Sequence, residues 1–318
     1  MTAVAPLSHS AEASRPAVAA VHPARARRRS PQRDWDRLRT VARMVIATLP
    51  EARWYDAGFH ARFEAARHFL ALVRPEALAE FVAGMARLQT RADFTARVER
   101  ALIDRQTVAM LRAEAQGIVA QRPELHERER FGRIVVRDHA PFADLANTLA
   151  PLVSRLAGEP VEPSYNFLSV YGAEGRCAIH LDEPSAKWTL DLCLAQDEPW
   201  PLHVSRPQPW PRAADFRAFD PARAMADPAM GFAPLVMAPG DGLLFSGSGQ
   251  WHYRAPRIAP NPHARASRPP SCTLLFLHYR PAASAALVDP RHWASHFQLP
   301  ELAILVEEHD RLRPVSRG

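Results

Sequence analysis

Residues 165–182 read Tyr165-Asn-Phe-Leu-Ser-Val-Tyr171-Gly-Ala-Glu-Gly175-Arg-Cys-Ala-Ile-His180-Leu-Asp182. Two short apolar runs, Asn166–Tyr171 and Cys177–Leu181, flank a glycine-bearing turn, which is the punctuation of paired strands rather than of a helix. At the end of the second run an imidazole and a carboxylate stand two residues apart. If Leu181 is extended, His180 and Asp182 point to the same sheet face.

The same punctuation continues downstream. Seven of the thirteen glycines lie between Gly172 and Gly249. Short apolar runs over Trp188–Leu194, Leu202–Ser205, Ala233–Met237, Gly242–Ser246, Gln250–Arg254 and Cys272–Tyr279 predict further strands with Gly or Pro turns between them. Some eight short strands in one domain suggest a sandwich or jelly roll, because a sheet that size must close or double over to protect its edges. The Pro- and Trp-rich stretch 198–234 is too long for a simple turn and is expected to form part of a pocket mouth.

Upstream, from Asp34 to Gly158, the pattern is helical. Trp35, Leu38, Val41, Val45, Ile46 and Leu49 recur at three- and four-residue steps before Pro50. The period returns in Phe59, Phe63, Ala66, Leu70 and Val73, and again over 78–88. Helices are expected over 92–104 and 106–121, and a last one opens at Pro141 and stops at Gly158. These stripes read as core packing. The organisation expected is a tail over 1–33, a helical region over 34–130, a β domain over 131–282 and a helical extension over 283–318: an α+β chain.

At 318 residues, roughly two domains' worth, a core can form without metal or disulfide staples. The composition, 47% hydrophobic and 23% charged, is that of a globular protein, and no apolar run approaches the ~20 residues needed to span a bilayer. A membrane protein is therefore excluded. Three cysteines, Cys177, Cys193 and Cys272, are an odd number without CxxC spacing, which argues against a disulfide scaffold or cysteine zinc site and points to a reducing, cytoplasmic setting. The net charge of +6 belongs mostly to the tail: six arginines against Glu12 give residues 1–33 a charge of +5, leaving +1 for the rest. That tail has no apolar periodicity and no secretory pattern, and reads as disordered. Its Arg25–Arg29 run suits phosphate contacts or an address signal, with no partner readable.

Chemistry concentrates in the second half. His252 sits in Gly249-Gln-Trp-His-Tyr-Arg254, on another expected strand. Two imidazoles and one carboxylate can fill one face of an octahedral ion and leave three positions open, as in non-haem Fe(II) oxygenases. The order of motifs strengthens this. Residues 165–182 and the turn Pro239-Gly-Asp-Gly-Leu-Leu-Phe245 before the distal histidine resemble the Fe(II)/2-oxoglutarate-dependent oxygenases over about residues 131–282.

The resemblance implies a double-stranded β-helix, that is, a cupin-like jelly roll. It implies Fe(II) held by His180, Asp182 and His252, with 2-oxoglutarate and O2 as co-substrates and succinate and CO2 as products. Halogenating relatives replace the carboxylate by Gly or Ala, and Asp182 is kept, so hydroxylation is expected, with desaturation or demethylation possible on the same scaffold. In that family a basic residue on the last core strand pairs with the remote carboxylate of 2-oxoglutarate. Here Ser271–Tyr279 contains neither Arg nor Lys. Two candidates stand in for it: Arg254, two residues after His252 on the same strand face, which is preferred, and Arg268, followed by Pro269-Pro270. Tyr171 matches the family position whose hydroxyl helps hold 2-oxoglutarate.

The expected substrate is a small metabolite or an amino-acid-like molecule. The Tyr–Gly–HxD–Glu183 layout also resembles the nucleic-acid demethylase branch, but near-neutral charge outside the tail disfavours nucleic acid. Trp188, Trp200, Trp210 and Trp251 flank the expected site, mostly as packing. His203, His263 and His278 are read as structural. Two other classes stay open: a cupin-like metal enzyme that does not use 2-oxoglutarate, and a catalytically silent barrel serving as a binding module.

Overall fold

The computed structural model describes residues 31–257 and 271–313. Among these residues, ten strands form two antiparallel sheets. In chain order they are β1 (Arg97–Glu99), β2 (Arg133–Arg137), β3 (Val161–Tyr171), β4 (Cys177–His180), β5 (Trp188–Gln196), β6 (Leu202–Val204), β7 (Ala233–Leu235), β8 (Gly242–Phe245), β9 (His252–Arg254) and β10 (Cys272–Pro281). One sheet has the order β1-β8-β5-β10-β3-β2 and the other β4-β9-β6-β7. From β3 onward the chain passes back and forth between the sheets, so residues close in sequence face each other across the space between them.

All eight strands expected from the glycine punctuation are present. Strand β10 shows why alternation matters. Leu275, Leu277 and Tyr279 point one way, into a core shared with the helices Arg105–Gln121 and Ala140–Ala157, whereas Leu274 and Phe276 point toward the second sheet. The helix Ala140–Ala157 has Pro141 in its first turn and ends on Gly158 in the left-handed conformation (φ +74°), a backbone state glycine adopts without Cβ strain.

The helical layer is assembled from both ends of the chain. The helices Pro31–Thr48, Gly58–Val73 and Leu78–Met85 share one apolar cluster with Leu287, Trp293 and the helix Glu301–Leu312. Arg39 and Arg43 close the seam on Glu308, at 3.2 and 2.8 Å. The first helix starts at Pro31, inside the stretch assigned to the tail; residues 1–30 lie outside the described ones.

Three expectations need correction. Residues 92–104 are not a helix: Arg97–Glu99 pair with Gly242–Leu244 as an edge strand. The turn beyond is tied to Asp241, whose carboxylate accepts from the Ala101 N–H at 2.9 Å and from Arg100 at 2.6 Å. Tertiary pairing overrides a weak helical period here. Residues 133–137, inside the region read as helical, form β2 on β3. The 198–234 stretch does not border the cavity mouth beyond Leu202. Its short helices Ala213–Ala218 and Pro221–Ala226 are placed so that Phe216 and Phe219 pack against Trp54 and, for Phe219, Trp251.

Among the described residues no helix is long and apolar enough to cross a membrane.

Candidate metal centre and cavity

His180 and His252 are direct register partners across β4 and β9, and their rings lie 4.1 Å apart. Asp182 follows β4. Its backbone N–H donates to the Gly247 carbonyl at 2.9 Å, which holds the residue against the turn before β9. Leu181 points the opposite way, into an apolar cluster with Trp54 and Trp251, so strand alternation delivers His180 and Asp182 to one face. One ligand atom from each of His180, Asp182 and His252 lies within 4.8 Å of the others.

The imidazoles are oriented by backbone. His180 Nδ1 lies 2.9 Å from the Ala178 carbonyl and His252 Nδ1 3.0 Å from that of Gln250. Each ring therefore donates its Nδ1–H to a carbonyl two residues upstream and turns Nε2 inward, where it faces the Asp182 carboxylate at 3.3 and 3.8 Å respectively. Burial opposes charge on Asp182, but the two imidazoles outweigh it and hold the carboxyl well below the usual carboxylate range. Burial, reinforced by His180, draws His252 down to about 4, whereas at His180 the pull of Cys177 and Asp182 overcomes burial and the shift is upward. Gly247 is part of the cradle: a Cβ there would stand 2.2 Å from Asp182 Oδ2 and 2.6 Å from the Ala186 carbonyl.

The triad lies in the wall of a cavity of ≈ 200 Å³ between the two sheets. Its floor is the six-stranded sheet, where Tyr165, His278 and Thr189 form one row and Phe167 and Phe276 the next. His278, expected to be structural, is buried here; its Nδ1 is 3.0 Å from the Thr189 hydroxyl. The outer end is closed by Tyr55 and Asp56, from the loop before the second helix, and by Phe131 and Glu183. Tyr55 sets its ring edge-on to Phe131 and His180, and Arg130 lies over its face at 4.8 Å. Asp56 accepts from the Glu183 N–H at 3.2 Å; burial, with Glu183 and Asp182 nearby, pushes its carboxyl up to about 8.

The inner end is basic. Arg133, Tyr171 and Arg254 all border it. Arg254 lies on β9 facing inward, as strand alternation from His252 requires, but donates to the Trp200 carbonyl at 2.5 Å and to Asp191 at 2.8 Å. Arg133 ion-pairs with Glu127 and donates to the Tyr171 hydroxyl at 2.8 Å. Arg268 and His263 lie outside the described residues. Trp188, Trp200, Trp210 and Trp251 are buried in cores, and none lines the cavity.

Sequence reading missed Tyr55, Asp56, Arg133 and Thr189. Tyr55 and Asp56 sit in the loop between two helical stripes, and Arg133 begins the strand hidden in the region read as helical. No local pattern marks any of them as cavity residues.

Fold and site together define a mixed protein of helices and two antiparallel sheets with a candidate metal centre of two histidines and one carboxylate. No protein-family model matches the chain, and no curated protein matches it. Among solved structures, the chain is similar to the non-haem α-ketoglutarate-dependent epimerase SnoN from nogalamycin biosynthesis, at 18% identity over 68% of this chain and 88% of that one, with a TM-score of 0.42. It is similar to the α-ketoglutarate-dependent carbocyclase SnoK of the same biosynthesis, at 13% identity over 65% and 88%, TM-score 0.44. A third is HygX from Streptomyces hygroscopicus with nickel and 2-oxoglutarate bound, at 12% identity over 64% and 87%, TM-score 0.46.

Proposed function

We propose that this protein is an Fe(II)- and 2-oxoglutarate-dependent dioxygenase that hydroxylates a small metabolite or amino-acid-like substrate. The observation that carries the reading is the convergence of His180, Asp182 and His252 on the wall of a cavity whose other end presents guanidinium and phenol groups. The strand order, with the chain from β3 onward crossing repeatedly between two antiparallel sheets, supports a double-stranded β-helix, or jelly roll, as the scaffold.

The donor set suits iron. Two neutral imidazole nitrogens and one ionised carboxylate oxygen make a facial triad with positions left open, and each imidazole already has its second nitrogen engaged by backbone. When bound with 2-oxoglutarate and O2, the iron supplies oxidative decarboxylation to succinate and CO2 coupled to oxidation of a substrate C–H bond.

The chain's own residues bind and position. His180, Asp182 and His252 would hold the metal, and Tyr171 and Arg254 border the end where the remote carboxylate of 2-oxoglutarate would lie. Phe167, Phe245 and Phe276 keep the space between them apolar and exclude water. Tyr55, Asp56 and Glu183 would meet the substrate at the outer end, where carboxylates suit hydroxyl or amino groups. A charge of +1 outside the first 33 residues does not suit a phosphate-tracking groove, which favours a small molecule over nucleic acid. Three free cysteines suit a reducing, cytoplasmic setting.

The test is spectroscopic. Metal-free protein given Fe(II) and 2-oxoglutarate under argon is expected to show the visible charge-transfer band of the chelate, and His252→Ala to show none. Fe(II) binding without the band would favour a cupin-like metal enzyme that does not use 2-oxoglutarate. No metal binding at all would leave a silent barrel acting as a binding module.

A further inference from the structure

Resting on that reading, we infer that the substrate is a cationic amine, seated at the outer end of the cavity with its ammonium group between the Asp56 and Glu183 carboxylates and a further contact on His278. Two spaces sharing a wall set the place. Tyr55, Asp56, Phe131 and Glu183 line both the cavity beside the triad and a second cavity of ≈ 410 Å³ outside it. A ligand lodged across that wall meets both carboxylates, and its bulkier part has room in the outer space.

The first support is missing charge. Carboxylates nearby are paired: Glu127 with Arg133 and Arg137, Glu124 with Arg137 at 2.7 Å, and Asp310 with Arg62 at 2.7 Å. Asp56 and Glu183 have no ion pair among the described residues. Asp56 Oδ2 accepts the Glu183 N–H and Glu183 Oε1 the Ser185 hydroxyl at 2.5 Å, so Asp56 Oδ1 and Glu183 Oε2 have no hydrogen-bond partner among those residues. Arg130 does not supply the charge: it is exposed and lies over the Tyr55 and Phe131 rings, at 4.8 and 5.4 Å. The crowding of carboxylates that pushes Asp56 upward is relieved by a cation from outside the protein. An ammonium brings that charge with several N–H donors, whereas an alcohol brings donors without charge and an acid adds to the repulsion.

The second support is an unpaired atom in the same cavity. His278 is 2% exposed and its ring is stacked on Tyr165 at 4.2 Å. Its Nδ1 meets the Thr189 hydroxyl, yet Nε2 has no partner among the described residues. Nε2 is the ring nitrogen farther from the backbone, and His278 stands on the cavity floor, so that atom points off the sheet into the space. A buried polar atom left unpaired by the protein calls for a ligand or water to satisfy it. In the tautomer that gives Nδ1–H to Thr189, Nε2 accepts, and an N–H of the amine is the donor it needs.

The experiment uses three probes of one shape. Cyclohexylmethylamine, cyclohexylmethanol and cyclohexanecarboxylate share a ring and differ in the polar head. Their binding is read by ligand-detected NMR on the full-length protein loaded with Zn(II) and 2-oxoglutarate, and again on the metal-free protein. Wild type is expected to bind the amine about 10-fold or more tighter than the alcohol, and the acid least of the three. Asp56→Asn combined with Glu183→Gln is expected to lower amine affinity about 10- to 100-fold, to the level of the alcohol. His278→Phe, which keeps a ring to stack on Tyr165, is expected to cost the amine about 5-fold. The Fe(II)–2-oxoglutarate band should persist in both variants, which reports that the site is folded. An amine preference that survives the paired substitution, is untouched by His278→Phe, or is absent from wild type overturns the assignment. The preference present in wild type without any chelate band would sink the oxygenase reading alone and leave the amine seat standing.

Discussion

The two sheets are built for different work. In the six-stranded sheet, β3 and β10 are 11 and 10 residues long and pair along ten positions, with Leu168, Leu275 and Leu277 fully buried beneath covering helices. In the four-stranded sheet the strands run three or four residues, and the β4–β9 pairing shifts register between Cys177 and His180. Yet the short sheet and the turn beside it carry every candidate metal ligand. Long ladders and helix cover hold the rigid wall, and a short irregular sheet laid against it is free to aim side chains inward.

The sharpest way to break that comparison is His252→Ala. It is expected to abolish Fe(II) binding, read by calorimetry, while the urea midpoint stays close to wild type. Loss of the fold instead would mean that the short sheet also carries stability. Leu275→Ala tests the converse. Deleting a fully buried side chain from the central strand should cost about 2–5 kcal/mol in urea unfolding while the folded fraction keeps its Fe(II) affinity.

Gly247→Ala sharpens the boundary between the two roles. A Cβ 2.2 Å from Asp182 Oδ2 must push that carboxylate aside, so Fe(II) affinity should fall about 10-fold, roughly 1.4 kcal/mol by the affinity relation. Unchanged affinity would mean that the Asp182 position is not critical.

The smallest effect lies in neither sheet. His60, fully buried in the helical layer among Trp54, Phe59 and Trp210, has no hydrogen-bond partner among the described residues, and burial draws it down to about 4. A lowered histidine favours the unfolded state wherever that state takes up the proton. Its penalty is therefore absent well above pH 6.5, grows as pH falls below 6.5, and levels off only near 4. Wild type should lose about 1 kcal/mol more than His60→Phe between pH 7.5 and 5.5, measured by urea unfolding at both values. Equal losses would show that His60 does not titrate as its burial requires.

Much of this was legible in residues 165–182 and their echoes. His180 and Asp182 share a face because a strand alternates, and the helix Ala140–Ala157 begins and ends where Pro141 and Gly158 say it should. The edge strands β1 and β2 were not legible. Ile134, Val135 and Val136 are only three apolar residues between arginines, and a run that short reads equally as a helix turn. Tyr55 and Asp56 reach the cavity only because a loop of the helical layer happens to lie over the triad.

By itself the sequence determined the alternation of the core strands, the paired imidazole and carboxylate at 180 and 182, and where helices start and stop, because each depends on neighbours within a few residues. The tertiary structure decided that His252 faces His180, that Arg254 is bound to Asp191, and that Arg133 shares a row with Tyr171. Those are matters of register between segments tens of residues apart, and the period of a strand tells which face a side chain takes but not which partner stands opposite.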